Sequence, residues 1–445
     1  MENKMKDMMN DQNTENLNVP ADTMILGKDS YYDLDTYKTQ RNNNVVVIGS
    51  PGSGKTRGIV IPNLLQCSGS YVITDPKGNL YHRYRNYLSM RGYNVKLLDF
   101  YNPRESVGYN CIRQASTDDD IAKLAHLIIY SNHKAQRNVD PFWDEAAELL
   151  LTALLAYLKP DSESEMVTFK TLAELMNLCD ISEYDVAVKK PLDMLFDDIA
   201  ACEPESYAVR KYRSFRQAAE KTMKSILITM QSTIARYDCN SVTEVMKRGD
   251  LHIPSIGNQK TALFITVSDT DRRLDGLINI VFSQIMQELV RYADCECKDQ
   301  HLPIPVRFLM DDFATNVVIS DFPRMIASIR SRWISTMMIL QAESQLMEQY
   351  GYDGETILGS CDTYVYLGGE DIKTAQNVAL RADKSLRSVL EMPVGTQFIF
   401  RRGERMVTTS TFPMTDFESK CFEEARKLPM NRLDCPWPMP EECRM

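Results

Sequence analysis

Eight consecutive residues, Gly49-Ser50-Pro51-Gly52-Ser53-Gly54-Lys55-Thr56, fit the spacing GxxxxGK[ST] of a phosphate-binding loop. Glycines let such a backbone curl until its N–H groups and a helix N-terminus face a phosphate. A lysine at the position of Lys55 bridges the β- and γ-phosphates, and a hydroxyl at the position of Thr56 holds magnesium. The chemistry implied is recognition of a nucleoside triphosphate with magnesium, ATP and Mg2+ in the commonest case.

A loop of this kind needs a carboxylate on a second strand. The run Val306-Arg307-Phe308-Leu309-Met310-Asp311-Asp312 supplies one, since its apolar stretch ends in two acids. Asp311 is placed to hold the magnesium-bound water, and Asp312 to orient or deprotonate the attacking water. Glutamate more often fills the second role, so the shorter Asp312 bears directly on the rate of hydrolysis. Gln341 ends a third apolar run, where its amide either senses the γ-phosphate or bonds a loop backbone.

The elements that must position these groups follow from the apolar pattern. Val45-Val46-Val47-Ile48 reads as a strand buried on both faces, with a helix from about Lys55. Strands at 71–74 and 95–99, with helical character over 81–90 between them, continue a βαβα order. From about 117 to 248 helical periodicity dominates. Strands return at 262–267, 306–310, 336–340, 363–367 and 397–400. The expected architecture is α/β with a largely parallel twisted sheet: a nucleotide-binding domain from residues 31–115 and 259–415, interrupted by an all-α insertion over 116–258. A polar leader without order is expected over 1–30 and a loose tail over 416–445.

Composition sets limits. The chain has 445 residues, 44% hydrophobic and 25% charged, enough to bury a large core. Its net charge of −10 excludes a protein that coats nucleic acid through a global basic field, so any DNA contact must be local. Eleven scattered cysteines do not make a disulfide framework, and the CxC of Cys295 and Cys297 has no second pair at zinc spacing. The five histidines show neither triad nor ligand spacing. The opening residues carry no apolar core, so neither a signal peptide nor an anchor is expected there. The longest apolar run, 149–158, is well short of the ~20 residues that cross a bilayer.

Several longer motifs accompany the loop: Thr74-Asp75-Pro76-Lys77-Gly78 with Tyr81, Asp140-Pro141-Phe142-Trp143-Asp144, 218–226 (AAEKTMKSI), and Phe308 to Ala314 followed by Ser328-Ile329-Arg330-Ser331-Arg332. Together and in this order they resemble the type IV secretion coupling proteins of the TraG/TraD kind, over roughly residues 40–410. The resemblance implies a RecA-like P-loop NTPase, a DNA-translocating ATPase working as a homo-hexameric ring with ATP between subunits. Its implied partners are single-stranded DNA with an attached relaxase and the components of a type IV secretion channel, in conjugative DNA transfer. Members usually carry N-terminal transmembrane helices. This chain begins with a polar leader, so a cytoplasmic protein is expected, peripheral at the inner face of the membrane and touching it only through partners. Two other functions share the loop: an ATP-gated docking adaptor without sustained turnover, and a DNA segregation or packaging translocase.

Some residues keep two readings. Arg330 or Arg332 is an arginine that reaches a neighbour's γ-phosphate, or both are solvated or carboxylate-paired. Arg210, Lys211, Arg213, Arg216, Lys221 and Lys224, interleaved with Tyr207, Tyr212 and Phe215, form a DNA-tracking surface, a subunit contact or a solvated helix face. Asp75 and Lys77 line the nucleotide or an interface, or belong to a tight turn. Asp140 or Asp144 caps a helix, and Trp143 is core.

Overall fold

The computed structural model describes residues 19–76, 78–130, 141–159, 167–178, 190–218, 223–268, 270–314 and 317–428. Among these, nine strands form one sheet in the order β11-β10-β9-β3-β8-β7-β4-β6-β5. They are β3 (Val45–Ile48), β4 (Ser70–Pro76), β5 (Asn94–Leu98), β6 (Thr261–Val267), β7 (Val306–Met310), β8 (Ile334–Leu340), β9 (Thr363–Tyr366), β10 (Thr396–Arg401) and β11 (Val407–Ser410). From β9 to β5 every pairing is parallel, and only β10 runs against the others, pairing antiparallel with β9 on one side and β11 on the other.

The central strands are continuous β-branched and aliphatic runs because helices cover both faces. All residues of β3, β6 and β7 are buried. Alternation then splits the core. Val46, Ile48, Phe308 and Met310 face one large cluster; Val45, Val47 and Leu309 face another beneath the helices Ile61–Leu65, Asn79–Met90 and Met414–Arg426.

Between β5 and β6 the described residues form helices, including Asp118–Tyr130, Pro141–Tyr157, Tyr207–Ala218 and Asn240–Arg248. These helices do not enclose a core of their own. Leu150, Phe215 and Val245 belong to the same cluster as Val46 and Phe308, and Asp118–Tyr130 packs on the long helix Asp275–Cys295. The insertion is therefore joined to the sheet by packing as well as by chain.

Both ends correct the sequence reading. Order begins well before residue 30: β1 (Thr23–Gly27) and β2 (Ser30–Asp33) pair as an antiparallel hairpin, with Met24, Ile25 and Leu26 fully buried. Asn63 holds β1 by accepting from the Ile25 N–H at 3.0 Å and donating to the Ile25 carbonyl at 2.6 Å. Gly27 sits against Gln397 and Thr409, where a Cβ would lie 2.3 and 2.6 Å from their side chains. At the other end, the helix Met414–Arg426 buries Phe417, Cys421 and Ala425, and Glu418 meets Arg83 at 2.7 Å and the Tyr84 hydroxyl at 2.9 Å. That stretch is part of the fold through Leu428.

Candidate functional site

The loop after β3 is fixed from both sides by backbone bonds. The Gly49 N–H donates to the Leu340 carbonyl of β8 at 3.2 Å, and the Ser50 N–H donates to Gly368 just beyond β9 at 2.9 Å. Gly52 and Gly54 adopt φ of +77° and +88°, a left-handed backbone that favours glycine and lets the loop curl tightly. Chain then enters a π-turn, Thr56–Val60, before the helix Ile61–Leu65.

Lys55 is buried, and its ammonium donates to the Gly49 and Ser50 carbonyls at 2.6 and 2.9 Å. Burial pushes its pKa down, while Asp311 and Asp312 pull it up. Thr56 donates its hydroxyl to Asp311 Oδ2 at 2.5 Å, across 255 residues of sequence. Burial raises the Asp311 carboxyl above the ordinary aspartate range, and the Thr56 hydrogen bond partly offsets this. Ser53 Oγ lies buried in the loop without a hydrogen-bond partner.

Asp311 is locked in place by Thr74 of β4, whose hydroxyl accepts from the Asp311 N–H at 2.6 Å and donates to its carbonyl at 3.0 Å. Asp312, half-buried, and Ala314 both take positive φ, +52° and +62°. Two such residues close together in a turn store backbone strain. Gln341 is exposed at the end of β8, the strand between the loop strand and the acid strand. Its N–H donates to Gln345 Oε1 at 2.8 Å.

Lys55, Thr56, Asp311, Asp312 and Gln341 thus gather at one edge of the sheet. These residues fit a nucleoside triphosphate with magnesium: a glycine turn with a buried, unpartnered Ser53 hydroxyl, a lysine on replaceable carbonyl partners, and a hydroxyl already on a carboxylate.

Other expected residues lie elsewhere. Arg330 and Arg332 precede β8, so its seven residues set them roughly 20 Å from the loop. Arg332 pairs with Asp294 at 2.8 Å, and Arg330 donates to the Thr36 carbonyl at 2.8 Å. Asp75 is fully buried and accepts the Leu80 and Tyr81 N–H groups at 3.0 and 2.8 Å, which caps the helix Asn79–Met90. Tyr212 and Phe215, read as base-stacking residues, are buried, and Tyr212 stacks on Phe196 at 4.0 Å. The helix period turns those rings into the core and leaves Arg210 and Arg213 exposed. Arg216 pairs with Asp193 at 3.1 Å. Trp143 packs partly buried against the core, and Asp144 is buried. Lys77, Asp140, Lys221 and the Lys224 side chain lie outside the described residues.

Two groups at the site escaped the sequence reading. Thr74 was legible as a strand end but not as the clamp on Asp311. Glu343, two residues past Gln341, is buried and accepts from Tyr364 at 2.9 Å and from Asn377; nothing in its spacing announces this. Among the described residues no helix is long and apolar enough to cross a membrane, and no three His, Cys, Asp or Glu side chains gather as a metal cluster.

A largely parallel sheet with a phosphate loop after β3 and acids at the end of β7, two strands over, defines a P-loop nucleotide-binding protein. The chain belongs to the family of type IV secretory system conjugative DNA transfer proteins, whose model matches residues 2–379. It is 23% identical over 354 residues to a conjugal transfer protein TraG of Escherichia coli, covering 76% of this chain and 54% of that protein. The chain therefore spans about half the length of the curated relatives it matches. Its fold is that of the plasmid coupling protein TrwB. The complex of TrwB with the ATP analogue ADPNP matches at a TM-score of 0.65 and 18% identity, over 88% of this chain and 89% of that one. The complex with ADP and Mg2+ matches at 0.62 and 18%, over 88% and 89%. The fold is accordingly RecA-like.

Proposed function

We propose that this chain is an ATP-driven coupling protein of conjugation, which binds a DNA–relaxase substrate and delivers it to a type IV secretion channel. The observation that carries the reading is the Thr56–Asp311 hydrogen bond, which joins the phosphate loop to the acid strand. The nucleotide complexes of TrwB support the choice of ATP and Mg2+.

In this reading the loop N–H groups hold the phosphates, and Lys55 exchanges the carbonyls of Gly49 and Ser50 for the β- and γ-phosphate oxygens. Thr56 would hold magnesium and Asp311 its bound water, and the ion would supply neutralising charge for the triphosphate. Asp312 orients the attacking water and takes its proton, and Gln341 places that water against the γ-phosphate. Arg330 and Arg332, distant from their own loop, act only on a neighbour's nucleotide, in a homo-hexameric ring. Residues 116–258 form its inserted helical domain, and the exposed Arg210 and Arg213 meet the phosphates of single-stranded DNA. Partners at the channel keep the protein at the inner face of the membrane.

The test is magnesium-dependent ATP binding and hydrolysis by the wild type, Lys55→Ala and Asp312→Asn. Lys55→Ala is expected to lose binding. Asp312→Asn is expected to keep binding and lose turnover by about 10²-fold or more. Unchanged hydrolysis in both variants would remove the reading. The short Asp312 favours one alternative, an ATP-gated docking adaptor, which binding without turnover in the wild type would establish.

A further inference from the structure

At the sheet edge opposite the phosphate loop lies a cavity of about 340 Å3, walled by Leu34, Tyr37, Tyr71, Val306 and Trp333. Its apolar lining is interrupted by Arg307, a charged residue second in the fully buried strand β7. Arg307 stands between Tyr71 of β4 and Ser335 of β8 in the strand register. It keeps only 7% of its surface, and its Nε and Nη1 have no hydrogen-bond partner among the described residues.

A buried guanidinium without an anion is strongly unfavourable, because nothing replaces the water it gave up. Burial accordingly pushes its pKa down, opposed only by the nearby Tyr71 hydroxyl, and arginine nonetheless stays charged at neutral pH. The two acids bordering the cavity do not neutralise it. Asp35 and Asp22 are both exposed to solvent, and Asp35 Oδ1 caps the N–H groups of Tyr37 and Lys38 at 2.9 and 3.1 Å. Arg330, also at the wall, is tied to the Thr36 carbonyl and adds a second positive charge.

We propose that this cavity is a binding site for a small carboxylate carried on an apolar or aromatic body. Arg307 supplies the missing counter-charge contact, and the aromatic wall takes the body. The volume falls at the lower end of ligand pockets, which begin near about 300 Å3, and so suits a small molecule. Trp333, stacked on His301 at 3.7 Å, reports occupancy from within the wall.

The test titrates the full chain with phenylacetate, 3-phenylpropionate and 4-phenylbutyrate, each beside its primary amide, by calorimetry and by tryptophan fluorescence, with Trp333→Phe to identify the Trp333 contribution. At least one carboxylate is expected to bind saturably below about 10 mM and at least about tenfold more tightly than its amide. Arg307→Met is expected to abolish that preference. It is also expected to raise the melting temperature of the ligand-free protein, because it removes an unpaired buried charge. Amides that bind as well as the acids, or no saturable binding by any of the acids, overturn the proposal; so does an undiminished preference in Arg307→Met. Should that variant fail to fold, the ratio of acid to amide on the wild type decides alone.

Discussion

Asp312 shows how backbone and chemistry constrain one position together. Its φ of +52° lies where aspartate and asparagine are several-fold enriched and longer side chains are not, so the turn after β7 gives a physical reason for an acid shorter than glutamate. Asp312→Asn keeps that preference, and its melting temperature is expected to match the wild type while turnover falls. Asp311 has the opposite signature. Burial holds its carboxyl above the ordinary range, so the folded state favours the protonated form. The stability it lends is full at acid pH and is lost as pH rises from the ordinary aspartate value through the raised folded value. Asp311→Asn is therefore expected to raise the stability of the nucleotide-free protein at neutral pH and to weaken magnesium-dependent ATP binding. Chemical denaturation of both proteins from pH 4 to pH 8 checks this; a variant less stable at neutral pH would contradict it. The loop itself was legible residue by residue, because Gly, Lys and Thr at those spacings serve little else. The Thr56–Asp311 contact was not, since 255 residues separate the two and only the sheet order brings them together.

At the scale of elements, apolar runs located β3 to β10 within a residue or two, most plainly for β3 and β6, because parallel strands buried on both faces write themselves as unbroken apolar stretches. The elements that were missed lack that mark. Edge strand β11 is Val407-Thr408-Thr409-Ser410 and largely exposed. The β1–β2 hairpin is short, and its partners, Asn63 and Gln397, lie far along the chain. Those distant bonds make it a sensitive place to cut. Asn63→Ala leaves the Ile25 N–H and carbonyl buried without partners and is expected to cost about 1–3 kcal/mol. Hydrogen exchange should then quicken across residues 23–33 before it does in β3. Equal protection in variant and wild type would mean that packing of Met24 and Leu26 holds the hairpin without Asn63. The basic helix Tyr207–Ala218 teaches the complementary lesson. Its charges were readable and its aromatics were misassigned, because composition does not say which face of a helix meets the core until its neighbours are known.

For the whole molecule, the net charge of −10 and the placement of Arg330 and Arg332 opposite the loop point the same way. Under the proposed function the charge leaves only a local surface for DNA contact, and Arg330 and Arg332 can assist hydrolysis only at a neighbouring subunit's nucleotide. ATP turnover per chain is thus expected to rise with protein concentration as rings form, and to fall in Arg330→Ala or Arg332→Ala mixed with wild type. Concentration-independent turnover in a monomer would contradict assembly between subunits. DNA stimulation should weaken steeply with added salt, because phosphate contacts release counterions. The most direct measurement is ATP hydrolysis by the purified chain with and without single-stranded DNA, beside Lys55→Ala. Turnover that rises with DNA and vanishes in Lys55→Ala is the predicted result, and hydrolysis that is indifferent to DNA or survives the loss of Lys55 would contradict the account.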